Sequence, residues 1–208
     1  EVLTNYKAGL TRLGAAARNG FRPVAAAPIN NNRVPGMRSW MVITEQTSGA
    51  KPREIAVRSN TGPDGLQRAL DEQTRQAFCL DLLWKEGNDV VALLSRAAEA
   101  PAASCSYAVD TTTLANVHGV SHRYVADVPF RAPDDRLVVS DRSSPATNDV
   151  EEDVLPALGP FVYATESALG GLGDHISRHH VAVPLSSRVR RLSTGALVLT
   201  TVVGDRAR

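Results

Sequence analysis

Cysteine, aromatic residues and lysine are all scarce in this chain of 208 residues. It has two cysteines, Cys79 and Cys105, two tryptophans and two methionines, and its aromatic fraction is 5%. Two cysteines permit one disulfide but neither a dense disulfide framework nor a four-cysteine zinc site. No run of about 18 apolar residues is present, so no segment reads as a membrane-spanning helix. No signal-peptide pattern is visible either, and the chain reads as soluble. An excess of one charge is also missing, since 23 Lys and Arg face 22 Asp and Glu for a formal net charge of +1. That balance makes nucleic acid an unexpected main partner. The Gly-x-Ser-x-Gly elbow of serine hydrolases is absent. Gly170–Gly171–Leu172–Gly173 is not followed by the Gly-Lys-Ser/Thr of a phosphate loop, so it reads as a flexible turn.

What is present is an ordinary apolar fraction of 43%, enough for one substantial core. The expectation is one domain over 1–208. Val2 to Ala17 reads as a helix closed by Asn19–Gly20. Leu66, Ala69, Leu70, Ala77, Leu80 and Trp84 recur at helical spacing, which predicts a helix over 63–84. Pro63 opens it, and Thr61 or Asp64 would cap it. Val90, Val91, Leu93, Leu94, Ala97 and Ala98 predict a second helix, ended by Pro101. Ser39–Glu45 and Glu54–Arg58 read as strands joined in a hairpin. The second half is strand-rich: Cys105–Val109, His122–Phe130, Arg136–Ser140, Phe161–Thr165, His180–Leu185 and Ala196–Val203. Helices early and strands late, without crossovers between the strands, predict an α+β fold. Its helical N-terminal half would pack on a mostly antiparallel sheet formed largely by the C-terminal half. Two stretches, 21–38 and 141–160, read as irregular arms or loops. No internal repeat is visible.

Several constellations could carry chemistry. His175 and His179 stand at the i, i+4 spacing that lets two imidazoles reach one zinc ion on a helix, and Asp174 adjoins them. His118 and His122 share the spacing, with Gly119 between them; the plainer reading of all four is surface or loop histidine. Cys105, His122 and Asp127 supply the residue types of a thiol hydrolase, nucleophile, base and orienting acid. Arg58 on a strand edge, a serine-containing strand near Ser104–Ser106 and a late carboxylate, Glu166, resemble the order of parts in ADP-ribosylating toxins. The resemblance rests on single residues, and the paired glutamate is replaced by Ala164 and Thr165. It would imply a nucleotide-dependent transferase using NAD. Arg188, Arg190 and Arg191 form a basic cluster that could meet a phosphate or an acidic partner surface; without interleaved aromatics, and at near-neutral overall charge, its plainer reading is a solvated or subunit-facing patch.

Three functions follow. The preferred one is a structural or assembly protein, a self-associating shell or capsid-like subunit without catalysis or cofactor, whose partners are other copies of itself. Long Pro-containing arms and near-zero charge suit close self-packing. The second is an enzyme, ADP-ribosyltransferase-like or a His-assisted hydrolase, with NAD or zinc. The third is a monomeric binding module.

Overall fold

A computed structural model describes residues 2–3, 6–30, 38–46, 48–99, 105–113, 116, 120–132, 135–145, 149–155, 182–191 and 197–205. These residues are mostly strand. The elements are β1 (Val2–Leu3), α1 (Tyr6–Arg18), β2 (Arg22–Asn30), β3 (Arg38–Glu45), β4 (Arg53–Asn60), α2 (Pro63–Arg75), β5 (Cys79–Glu86) and β6 (Asp89–Ala97). They are followed by β7 (Tyr107–Thr113), β8 (His122–Pro129), β9 (Asp135–Pro145), β10 (Asp149–Leu155), β11 (Ala182–Arg191) and β12 (Leu197–Asp205). The chain divides into two compact units, Glu1–Tyr107 and Ala108–Arg208.

The expected α+β layout, a helical first half on a sheet from the second half, is overturned. Each unit builds its own sheets, and the described residues hold two helices. The predicted helix over 63–84 ends at Arg75, and its last part is β5. The second predicted helix is β6. Both errors share one cause. A short apolar run looks alike in a buried helix and in a strand covered on both faces. In β6, Val90 to Ser95 are all buried. Two turns set the boundaries. Ala77 takes a left-handed conformation (φ 65) that stops α2, and Gly87 (φ 63) opens the two-residue loop between Glu86 and Asp89. Pro63 does begin α2, but its N-cap is Gly62, and no side chain caps it. The hairpin expected between β3 and β4 is not formed, because they belong to different sheets. Much of the two expected arms is strand: Arg22–Asn30 is β2, and Asp141 to Pro145 and Asp149–Leu155 lie in β9 and β10.

One pattern organises all four sheets. Each has three strands, ordered first, third, second in the chain: β1-β3-β2, β4-β6-β5, β7-β9-β8 and β10-β12-β11. In every sheet the second strand carries a β-bulge against the third. It falls at Val24, Asp81, Val125 and Leu185, each skipped between paired neighbours. In the first unit the match runs residue by residue. Arg22, Pro23, Ala25 and Ala26 face Glu45, Thr44, Ile43 and Val42; Cys79, Leu80, Leu82 and Leu83 face Ser95, Leu94, Leu93 and Ala92. Val2 and Leu3 face Met41 and Trp40 as Ser59 and Asn60 face Val91 and Val90.

The two helices, both of 13 residues, end in the same Schellman motif. Gly20 N–H donates to Ala17 O and Phe21 N–H to Ala16 O; Ala77 N–H donates to Thr74 O and Phe78 N–H to Gln73 O. The first unit is therefore a tandem pair of β-α-β-β repeats, and the second unit repeats the strand order and the bulge. No repeat is visible in sequence because the equivalent side chains differ, as Arg22-Pro23-Val24 differs from Cys79-Leu80-Asp81.

Within the first unit, α1 lies between the two sheets. Leu13 shares an apolar cluster with Val42 of the first sheet and Trp84, Val91 and Leu93 of the second, joined by Ile55, Val57 and Leu82. Helix α2 covers the opposite face of the second sheet. Its Leu66 and Leu70 are fully buried, each contributing about 1.5–3 kcal/mol. Arg22 of β2 reaches the bulge residue of β5, its Nε 2.8 Å from Asp81 Oδ1.

Candidate functional site

Alternation along a strand sends neighbouring side chains to opposite faces. In the first sheet Val42 turns inward to α1. Met41, Ile43 and Glu45 therefore turn outward, with Ala25 of β2 opposite Ile43. Met41 is 40% exposed, Ile43 50% and Val24, at the bulge, 41%. They are the large hydrophobic side chains exposed among the described residues. Their counterparts in the second sheet are buried: Val91, equivalent to Met41, is 1% exposed, and Leu93, equivalent to Ile43, is 0%. The difference lies in what covers them. Helix α1 roofs that face of the second sheet, while the same face of the first sheet carries no cover among the described residues. The sequence signal for this surface is the alternation of Met41 and Ile43 with Val42, which by itself does not tell which side is covered.

The residues proposed for chemistry are dispersed or already engaged. Cys105 forms a disulfide with Cys79, so the thiolate a nucleophile needs is not available in this state. The same region is fastened by the Leu80 N–H, which donates to Tyr107 Oη (2.8 Å), and by Gln67 Nε2, which donates to Tyr107 O (3.0 Å). Asp127 does not orient His122. It accepts from Tyr124 Oη (2.5 Å) and from Arg136 Nε, with both ion-pair side chains buried. His122 opens β8 opposite Pro145 and is half-buried.

Arg58 points to α2. Its Nη1 donates to Val57 O (2.9 Å), and the buried Gln73 amide oxygen accepts from its Nε (3.3 Å) and Nη2 (2.9 Å). It thus ties β4 to the helix. Arg188, Arg190 and Arg191 lie on β11 opposite Thr200, Val198 and Leu197. Glu166, His118, His175 and His179 fall outside the described residues. Among the described residues no group of three His, Cys, Asp or Glu side chains converges as a metal site would. No described helix is long and apolar enough to cross a membrane.

The titration of Asp141 is displaced. Burial alone would raise its carboxyl. Hydrogen bonds from the Ser143 hydroxyl (2.6 Å) and amide (3.0 Å), with Arg123 Nη2 at 2.8 Å, outweigh that and hold it below the usual carboxylate range. These partners account for the shift as part of the β8–β9 framework. A shallow recess lined by Asp110, Thr111, Thr112, Asn116, Val120 and Ser121 brings no histidine or cysteine to those hydroxyls. The surface that stands out is the outward face of β2 and β3. Comparison of the chain with protein-family models, with curated proteins and with solved structures finds no match.

Proposed function

We propose that this chain is a structural protein without catalysis, a subunit that associates with further copies of itself through the outward face of β2 and β3. The observation that carries the reading is the contrast between two equivalent sheet faces. Positions that are sealed in the second repeat stand open in the first, and they are apolar. A monomer surface exposes contiguous apolar patches sparingly, and such a patch is a mark of association. The near-neutral charge of +1 supports the reading, because repulsion between copies is small. The arms expected to order between copies no longer argue for it, since much of both is strand within the fold.

The mass in solution is the test. Association predicts a discrete multiple of 22.2 kDa. A particle of 22.2 kDa at every concentration contradicts it.

A further inference from the structure

We propose that a recess at the end of α1, where β2 and β4 begin, is a binding site for one hydrogen phosphate ion. It is lined by Gly20, Arg22, Glu45, Ala50, Lys51 and Arg53, and its volume is about 190 Å³. Pockets for larger organic ligands run from roughly 300 to 1,000 Å³, so this one has the size for a small ion. The site does not depend on self-association.

The internal repeat carries the assignment. Arg22 and Cys79 hold the same position, each opening the second strand of its sheet, opposite Glu45 and Ser95 respectively. Lys51 and Cys105 also correspond. Each stands two residues before the first strand of the following sheet, β4 starting at Arg53 and β7 at Tyr107. In the second repeat these two positions are joined by the Cys79–Cys105 disulfide. In the first repeat both are cations, and a third, Arg53, lines the same recess. Like charges gathered in one place repel. An anion between them replaces that repulsion with attraction, and closes the first repeat where the disulfide closes the second.

The two arginines are held from behind with donors to spare. Arg22 Nε donates to Oδ1 of the buried Asp81 (2.8 Å). Arg53 Nε and Nη2 donate to the buried Ser95 Oγ (3.0 and 2.8 Å). A guanidinium has five N–H donors in a fork that suits phosphate oxygens, so each arginine keeps several for the ion. Lys51 Nζ lies 3.6 Å from Glu99 Oε2, but both side chains are largely exposed, and such a pair is weak. Glu45 selects the anion. It enters none of the described ion pairs, and a carboxylate only accepts. Hydrogen phosphate keeps a proton to donate to Glu45, whereas sulfate has none and meets repulsion there.

Calorimetric titration of the full-length, disulfide-bonded protein with inorganic phosphate, near neutral pH and at constant ionic strength, is the test. Saturable uptake of one ion per chain is expected. Lys51→Met and Arg53→Met should each weaken it at least about tenfold, and Arg68→Met, on the exposed side of α2, should leave it unchanged. Sulfate should bind at least about tenfold more weakly than phosphate, and Glu45→Gln should close that gap. Each variant is first checked for a native circular dichroism spectrum. Lys51 is exposed, so Lys51→Met keeps the test decisive if Arg53→Met fails to fold. Absence of saturable phosphate binding overturns the proposal. So does equal binding to Lys51→Met and Arg68→Met, equal binding of sulfate and phosphate to the unmodified protein, or a gap between them that Glu45→Gln leaves intact.

Discussion

Replacing Ala77 with glycine should stabilise the first unit, and replacing Gly20 with alanine should destabilise it. The two residues hold the same place in the two repeats. Each follows a 13-residue helix, and each closes it in a left-handed conformation, Gly20 at φ 84 and Ala77 at φ 65. That conformation costs an L-residue about 1–2 kcal/mol, while glycine's freedom in the unfolded chain returns about 0.4–1 kcal/mol. The difference puts Ala77→Gly at about 0–1.6 kcal/mol of added stability.

At Gly20 the terms combine otherwise. An added Cβ would lie 2.9 Å from the Ala50 carbonyl oxygen, a backbone atom that does not move freely. The left-handed cost and that clash together put Gly20→Ala at about 1–3 kcal/mol of lost stability. Guanidinium unfolding followed by tryptophan fluorescence reads the right part of the molecule, because both tryptophans, Trp40 and Trp84, lie in Glu1–Tyr107. Shifts of the same sign for both variants would refute the equivalence of the two helix ends. So would a loss above about 0.5 kcal/mol for Ala77→Gly, which is beyond the range of neutral surface changes.

Three further expectations concern the rest of the framework. Breaking the Cys79–Cys105 bond, which spans 26 residues, by Cys105→Ala should cost about 3 kcal/mol in non-reducing denaturation; an unchanged midpoint would count against the pairing. Arg136→Met leaves Asp127 buried without its cation and should cost about 3–5 kcal/mol, seen as a lowered thermal midpoint. The folded-state pKa of Asp141 is lowered, so its contribution is complete above the unfolded value of about 3.9 and is lost as pH falls through the folded one. The stability gap between the unmodified protein and Asp141→Asn should therefore be open at neutral pH and close below about pH 4 in urea titrations.

The sequence was legible where one side of an element meets water. α1, α2's first turns and β3 show helical spacing or alternation because one face is buried and the other is not. It misled where both faces are buried. Val90 to Leu94 in β6 are covered on both sides, so their apolar run carries no period, and Leu80 and Trp84 of β5 fell by chance on a helical spacing that began in α2. The stop between α2 and β5 was hidden because an alanine fills the left-handed position where glycine usually announces it. The repeat was hidden because it resides in backbone register and bulges, which no side-chain identity records.

The candidate site was illegible for a related reason. Met41 and Ile43 were read as part of an ordinary strand, and only the packing of α1 tells that their side of the sheet is the uncovered one. The chemical candidates failed through partners invisible in one dimension: Cys105 is bonded to Cys79, Asp127 is held by Arg136, and Arg58 is held by Gln73.

The most direct test of the central claim is light scattering behind a sizing column on the unmodified protein and Ile43→Glu, side by side over a range of concentrations. The account predicts a discrete multiple of 22.2 kDa for the former and 22.2 kDa for the latter. An unmodified protein that stays at 22.2 kDa throughout, or a multimer that Ile43→Glu leaves intact, would contradict it.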